Sequence, residues 1–339
     1  MASIATSWTQ VNPSFIEPGL ILNYNQWSGA FECLAGGKPQ VKIGSEDLYV
    51  YIKSLNVRTD VAAGQQAYNK LPSVTIMAGL ASTPTYLQRV RAEYDHHDTA
   101  ALGMWNTSIV SAQSAGMRQG HFQLMRNSLL YGMNPANGEG LLNATGATTL
   151  NLPADPSGND TIQSYDNGAM AFFILSQIND IKVRTMSLGI GNRVVVLAPQ
   201  RVIGQWEYPG IVELTSYQRE GAGSASITGL ISDVAGSNGD EVYFACDDTL
   251  IGKGAGGTDA ILVTVPEIKK AGGEGPNTNE FATIEPGLAA CLTQYQDMAA
   301  PMEITVPLPG GAVDVVSELR TSPGWAIRPE AITIVSATY

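Results

Sequence analysis

The chain has 339 residues, of which only 15% are charged, and a formal net charge of −12. Its length exceeds what one hydrophobic core usually sustains, so two lobes with extensions are expected. A charged fraction so far below the roughly 25% of an average soluble domain implies an exterior covered largely by something other than water, with partner subunits the economical answer and a very large monomer interior the alternative, and the negative balance excludes a protein that works by neutralising phosphates wholesale.

The first 37 residues carry no Lys or Arg, and Pro13 and Pro18 leave no room for an ordinary helix before Gly19. Trp8, Phe15, Trp27 and Phe31 are too many aromatics for a solvated tail, so residues 1–37 read as an arm that gains order by lying across another surface. The absence of a basic start argues against both a nucleic-acid-binding arm and a secretory signal. No apolar run reaches the roughly 18 residues of a membrane span. Cys33, Cys246 and Cys291 have no CxxC spacing and are expected to be reduced thiols in an intracellular assembly compartment.

Residues 38–95 read as extended. From Leu48 to Val57 the side chains alternate, a second run begins at Val74, and the polar stretch Asp60 to Lys70 between them is loop-like. A third run, Thr85 to Tyr94, puts Leu87, Arg89, Arg91 and Glu93 on one face and Tyr86, Gln88, Val90, Ala92 and Tyr94 on the other. Together they predict a long β-ribbon, which must be propped by a neighbour because two-stranded ribbons are marginal alone in water. The alternative is that these strands pair with the body's own sheet.

Residues 96–189 are organised around a helical pattern running from Met104 toward Gly132. Trp105, Ile109, Ala112, Ala115, Phe122, Met125 and Leu129 recur at three- and four-residue steps, predicting one apolar face. Gly116 and Gly120 weaken the helix by roughly 1 kcal/mol each and allow close packing or a bend. Gly132, Asn134, Pro135 and Gly138 mark its end, answered by GEGLLN over Gly138 to Asn143. After a Pro/Gly/Asp loop, Asp160 and Gln163 form a capping pair for a second helix carrying Ile162, Ala169, Phe172, Leu175, Ile178 and Ile181 and ending at Gly189.

The uninterrupted Val194, Val195, Val196 and Leu197 predict a strand buried on both faces, opening a second lobe over 190–300. Within it Val242 to Cys246 and Ile261 to Val265 are strand candidates between Gly-rich loops. Residues 301–339 hold strands at Glu303 to Pro307, Val313 to Val316 and Ala331 to Thr338 that are expected to return to the first lobe.

A long helix closing in LLYG, a short Gly/Pro loop and then GLLN resembles the central spine of the tailed-phage major capsid proteins and related encapsulins, the Hong Kong 97-like fold. The closing segment RTSPGWAIRPEAITIV, Arg320 to Val335, is similar to that family's last turn and strand. The resemblance implies an α+β fold with N-terminal arm, extended β-ribbon loop, long spine helix, peripheral lobe and axial lobe. It further implies a structural, non-enzymatic protein of the virion, assembled in the host cytoplasm through pentamers and hexamers of itself into an icosahedral head. Portal and possibly scaffold or decoration proteins would be its partners, with DNA held non-specifically and no membrane. The rival readings are an encapsulin-like nanocompartment shell and a β-rich carbohydrate-binding tail or adhesin module.

Chemistry-bearing motifs are few, and no catalytic, cofactor-binding or metal-binding residue is assigned. The Gly-rich LIGKGAGGT around Gly254 lacks the Gly-Lys-Ser/Thr of a phosphate loop, and LGIGNR at Leu188 follows a helix instead of a strand, so both read as turns. His96, His97 and Asp98, taken as strand residues, point to opposite faces and make a polar hinge, not a metal site. Asp247 and Asp248 read as solvent-facing loop acids. In some relatives a loop Lys is joined to an Asn of a neighbour; Lys53 and Lys70 lie in the corresponding stretch, but nothing supplies the acid such a bond needs, and it is expected to be absent.

Overall fold

A computed structural model describes residues 40–59, 74–103, 108–185, 191–207, 226–268 and 291–339. The arm over 1–37, the Asp60 to Lys70 loop, Trp105 and the helix stop at Gly189 lie outside these residues. In chain order the strands begin β1 (Gln40–Val41), β2 (Tyr49–Thr59), β3 (Val74–Pro84) and β4 (Tyr86–Tyr94). Helices α1 (His96–Gly103) and α2 (Ile109–Tyr131) follow, then β5 (Thr148–Asn151), α3 (Asn167–Thr185), β6 (Arg193–Ala198), α4 (Gln200–Glu207) and α5 (Ile227–Ser237). The chain continues through β7 (Glu241–Cys246), β8 (Asp259–Thr264), β9 (Glu267–Ile268), β10 (Cys291–Leu292), β11 (Gln294–Tyr295) and β12 (Asp297–Met298). It closes with β13 (Met302–Pro307), β14 (Val313–Thr321), β15 (Trp325–Ala326) and β16 (Ile332–Ala337).

Two five-stranded sheets carry the body. The first is built on β14: β4 pairs along one edge from Tyr86 to Tyr94, β13 and then β12 share the other, and β1 runs parallel to β12. The second runs β5-β16-β8-β6-β7. The ribbon is β2 paired antiparallel with β3 over its full length, whereas β4 leaves it for the body. The alternation expected of β4 is present, with Leu87, Arg89, Arg91 and Glu93 exposed and Gln88 buried. Of the late strands, β13 and β14 lie in the first sheet, whereas β16 enters the second, where it runs between β8 and β5, a strand of the 96–189 segment. Its six residues are all buried, and such a strand belongs in a sheet interior, which the second sheet supplies.

The strand β6 shows why no alternation is visible in its sequence. Val194, Val196 and Ala198 face a core shared with Ile174, Ile178 and Ile181 of α3, Trp206 of α4 and Ile231 of α5. Val195 and Leu197 face the opposite core with Met125, Leu129 and Leu130 of α2 and with Leu141. Each fully buried Leu or Val there contributes about 1.5–3 kcal/mol, so the strand is held from both sides.

Helix α2 therefore spans both sheets. Ser108 caps its start, accepting from the Ser111 N–H at 3.4 Å. Its N-terminal part lies on β4 and β14 and its C-terminal end on the second sheet. The buried face is Met117, His121, Met125, Ser128, Leu129 and Leu130. That corrects the predicted stripe, because Ala112, Ala115 and Phe122 are exposed. Counting apolar residues set the phase wrongly, since His121 and Ser128 are buried where they meet the polar inner face of β14 and the chain around Gln296. Gly116 and Gly120 make no close packing: a Cβ on either would meet nothing within 4 Å.

The GEGLLN turn closes α2. The buried Glu139 carboxylate accepts from the N–H groups of Met133 (3.2 Å) and Asn134 (2.7 Å) and from the Tyr86 hydroxyl (2.8 Å). Asn143 donates to the carbonyls of Tyr131 and Glu139. Burial, then the bond to Glu139 and its charge, push the Tyr86 phenol up to about 12.

Helix α3 begins seven residues after the predicted cap. Ile162 N–H donates to the Thr338 carbonyl at 2.8 Å, so Asp160 to Gln163 are taken by pairing with the chain's end, and Asp166 caps the helix through Ala169 N–H. Here a tertiary backbone bond wins over a local capping pair. Phe172, predicted on the buried face, is 69% exposed.

The loop before α3 turns on Asp155, which accepts from Ser157 N, Asn159 N, Asn159 Nδ2 and Asp166 N. Burial pushes its carboxyl up, but those donors outweigh it and hold the group below the ordinary 3.8. A lowered carboxylate contributes stability that is present above the unfolded value and lost as pH falls through the folded one. Asp155→Asn is thus expected to lower the urea midpoint at pH 6, with the gap to wild type closing below about pH 4. A pH-independent gap would contradict this assignment.

Candidate assembly surfaces

At its root the ribbon is tied to the first sheet. Thr85 N–H donates to the Leu48 carbonyl at 2.9 Å, its hydroxyl to the Asp47 carbonyl at 2.5 Å, and Arg320 of β14 donates to Thr85 Oγ1 at 3.0 Å. Directly opposed residues of an antiparallel pair share a face. One face carries Thr83, which is buried, with Val50, Ile52 and Ala81 half-buried. The other carries Tyr49, Tyr51 and Leu80, which are 56%, 60% and 65% exposed, with Lys53 directly opposite Leu80. Beyond the root, the main packing of β2 and β3 is on each other. A ribbon of this kind keeps a row of large apolar side chains in solvent, with nothing among the described residues of its own chain to cover it.

A second surface lies along β13, an edge strand of the first sheet with all six residues exposed. Its register places Met302 beside Glu318, Ile304 beside Val316 and Val306 beside Asp314. On that outer face Arg89 pairs with Glu318 at 2.6 Å and Arg91 with Asp314 at 2.8 Å. The charges thus satisfy one another within the sheet, while Met302, Ile304 and Val306 stand 40–49% exposed at its margin. Edges of this kind are templates for pairing with another chain.

The residues that could have carried chemistry are dispersed. His96 and His97 are not on a strand but open helix α1 behind the Asp95 cap, because Asp95 Oδ1 accepts from the N–H groups of His97 and Asp98. Asp247 is not a solvent-facing acid: it is 1% exposed and caps a single helical turn by accepting from Thr249 N–H and Oγ1. Asp248 is exposed and accepts from Gln200 N–H. The Gly254 loop is a turn, with Gly254 N–H donating to the Thr258 carbonyl. Lys53 is exposed on the ribbon, and Lys70 lies outside the described residues. Among the described residues no three His, Cys, Asp or Glu side chains are grouped to hold a metal ion. Nor is any described helix long and apolar enough to cross a membrane.

No protein-family model matches the sequence, and no curated protein does. The fold, however, is shared. The chain is similar to the capsid of Myoviridae phage XM1, at 12% identity and a TM-score of 0.63 over 95% of this chain and 96% of that one. It is also similar to the capsid of cyanophage P-SCSP1u, at 11% identity and a TM-score of 0.56 over 96% and 93%. A third similar structure, from Microbacterium phage Oxtober96, gives 10% identity and 0.56 over 98% of each chain. The chain has the Hong Kong 97-like fold.

Two groups in this Hong Kong 97-like chain escaped sequence reasoning. One is the apolar margin of β13, legible as the alternation Met302, Ile304, Val306 but indistinguishable there from a strand with one buried face. The other is Asp297, wholly buried, which accepts from Lys42 N–H at 3.1 Å and from the Tyr295 hydroxyl at 2.8 Å. It clamps β1, the first described strand, onto the body. A lone Asp in a Gln- and Tyr-rich stretch gave no signal.

Proposed function

We propose that this chain is the major capsid subunit of a tailed double-stranded DNA bacteriophage, assembling through pentamers and hexamers of itself into the icosahedral head that encloses the genome. The reading rests on likeness to phage capsid structures over nearly the whole chain, at TM-scores up to 0.63. The uncovered apolar faces of the ribbon and β13 support it independently. Residues 1–37 then serve as the arm, the β2–β3 ribbon within 38–95 as the extended loop, and α2 as the spine. The second sheet, whose β6, β7 and β8 fall within 190–300 and which β5 and β16 join, serves as the axial lobe. The role is structural, not enzymatic. Contacts of the ribbon type are heterologous, and such contacts close into rings and shells when the rotation between copies permits.

The subunit would reside in the virion after assembly in the host cytoplasm, with portal and scaffold or decoration proteins as partners. A net charge of −12 suits a wall that holds DNA without gripping each phosphate. Electron microscopy of the purified full-length protein is the test: shells, tubes or capsomer rings are expected. A monodisperse monomer or trimer at high concentration would sink the capsid reading and favour the adhesin one.

A further inference from the structure

His121 is 4% exposed and lies between α2 and the first sheet, with its Nε2 3.2 Å from Ser317 Oγ on β14. Met117 and Met125 flank it one turn away on the same buried face. Whichever nitrogen carries the proton of the neutral ring, Nδ1 has no partner among the described residues. A second proton would therefore leave a charged, unpaired N–H between helix and sheet, where burying an unpaired charge is costly.

The groups facing the ring offer little relief. From β4 come Gln88, Val90 and Ala92, with the phenols of Tyr86 and Tyr94 at the strand's ends, while Arg89, Arg91 and Glu93 point to the opposite face. From β14 come Val315, Ser317 and Leu319, with Asp314 and Glu318 on the outer face paired to Arg91 and Arg89. The turn Leu141–Asn143 brings no charge, and His96, His97 and Asp98 stand at the start of α1. On α2 itself the charges are the cations Arg118 and Arg126. One carboxylate, Glu303 on β13, lies in register with Ser317, but it is engaged one to two turns away by Ser114 Oγ at 3.1 Å and Arg118 at 3.9 Å.

The two ends of α2 are held very differently. Its C-terminal end is fixed by Gln296 Nε2 donating to the Met125 carbonyl, by Gly324 N–H donating to the Ser128 carbonyl, and by Leu129 and Leu130 in the second core. In the N-terminal half only Met117 and His121 are buried, Gly116 and Gly120 stand in open space, and the other ties to the sheet are the surface bonds of Gln113 to Glu93 and of Ser114 and Arg118 to Glu303.

We infer that His121 is an acid-sensitive catch: protonation releases the half-helix 109–121 from the β4/β14 sheet while the C-terminal half stays docked. Burial already disfavours the imidazolium and outweighs the opposing bond at Ser317, holding the ring below its ordinary 6.5. The sign follows: the contact is intact above 6.5 and weakens as pH falls below it, each further unit favouring the opened form up to tenfold until the folded value is passed.

Hydrogen exchange of the full-length protein, expressed as protection factors at pH 7.5 and pH 5, tests this. Amides of 109–121 are expected to lose about tenfold or more in protection at pH 5, with those of 122–131 unchanged. In His121→Gln, which keeps a donor for Ser317 and cannot take up a proton, the loss should vanish. Unchanged or rising protection in the wild type overturns the inference, a rise meaning that Glu303 closes on the imidazolium. An equal loss in wild type and variant overturns it too, and should His121→Gln fail to fold, His121→Asn serves for the same comparison.

Discussion

The double variant Tyr51→Asp, Leu80→Asp is expected to give a folded, soluble subunit that forms no particles. Tyr51 opposes Ser82 and Leu80 opposes Lys53, so the two sit diagonally on one ribbon face, within reach of each other. Both are at least 60% exposed in the subunit, so neither change should move its unfolding midpoint beyond about 0.5 kcal/mol. Against a neighbouring copy the balance differs. Burial of each native side chain contributes about 1.5–3 kcal/mol, whereas driving two carboxylates into the same contact, of which only that of Leu80→Asp faces a cation, Lys53, costs several. Because the contact would recur at every subunit of the proposed shell, the loss multiplies. Light scattering and electron microscopy under conditions that assemble the wild type would check it. Normal particles from the double variant would show that this face of the ribbon is not where subunits meet.

Much of this was legible in the chain. The end of α2 was written in Gly132, Pro135 and Gly138, because glycine and proline act through backbone geometry that no tertiary contact can override. The four apolar residues of β6 announced burial on both faces because a strand with a wet face cannot afford them. What stayed hidden was set by distant partners. The buried phase of α2 depends on Ser317 and Gln296, some 170 to 196 residues away, which make polar residues the right ones to bury. The start of α3 yielded to Thr338 for the same reason. Asp247 reads as an exposed loop acid until the turn it caps is known. As for assembly, an alternating strand declares two faces but never which of them its own body will cover, and so β13 and the outer face of the ribbon required coordinates.

The second large effect is expected at the foot of the α2 helix, where Gly140→Ala should destabilise the folded protein by about 2–6 kcal/mol. Gly140 has φ +85°, and a Cβ there would stand 2.4 Å from the Gly132 nitrogen and the Tyr131 carbonyl carbon and 2.6 Å from the Leu130 oxygen. All three are backbone atoms of the helix end, so no side chain can rotate to make room. The turn cannot slide away either, because Gly140 N–H donates to the Gly324 carbonyl at 2.5 Å and Gly324 itself lies against Leu129, its own Cβ position 2.4 Å from that Cα. At φ +85° and ψ 146°, a region open essentially to glycine alone, a residue with a Cβ is strained by about 1–3 kcal/mol, and overpacking against a fixed neighbour costs about 1–3 more. Together they remove much of a typical stability of 5–15 kcal/mol. Gly116→Ala and Gly120→Ala, on the same helix but with open space around them, should instead stabilise the helix by about 1 kcal/mol each. Urea unfolding of the three variants separates the cases: opposite signs for Gly140 against Gly116 and Gly120 are expected. A Gly140→Ala midpoint equal to that of the wild type would mean that the turn, the helix end and the Gly324 segment are not locked together as described.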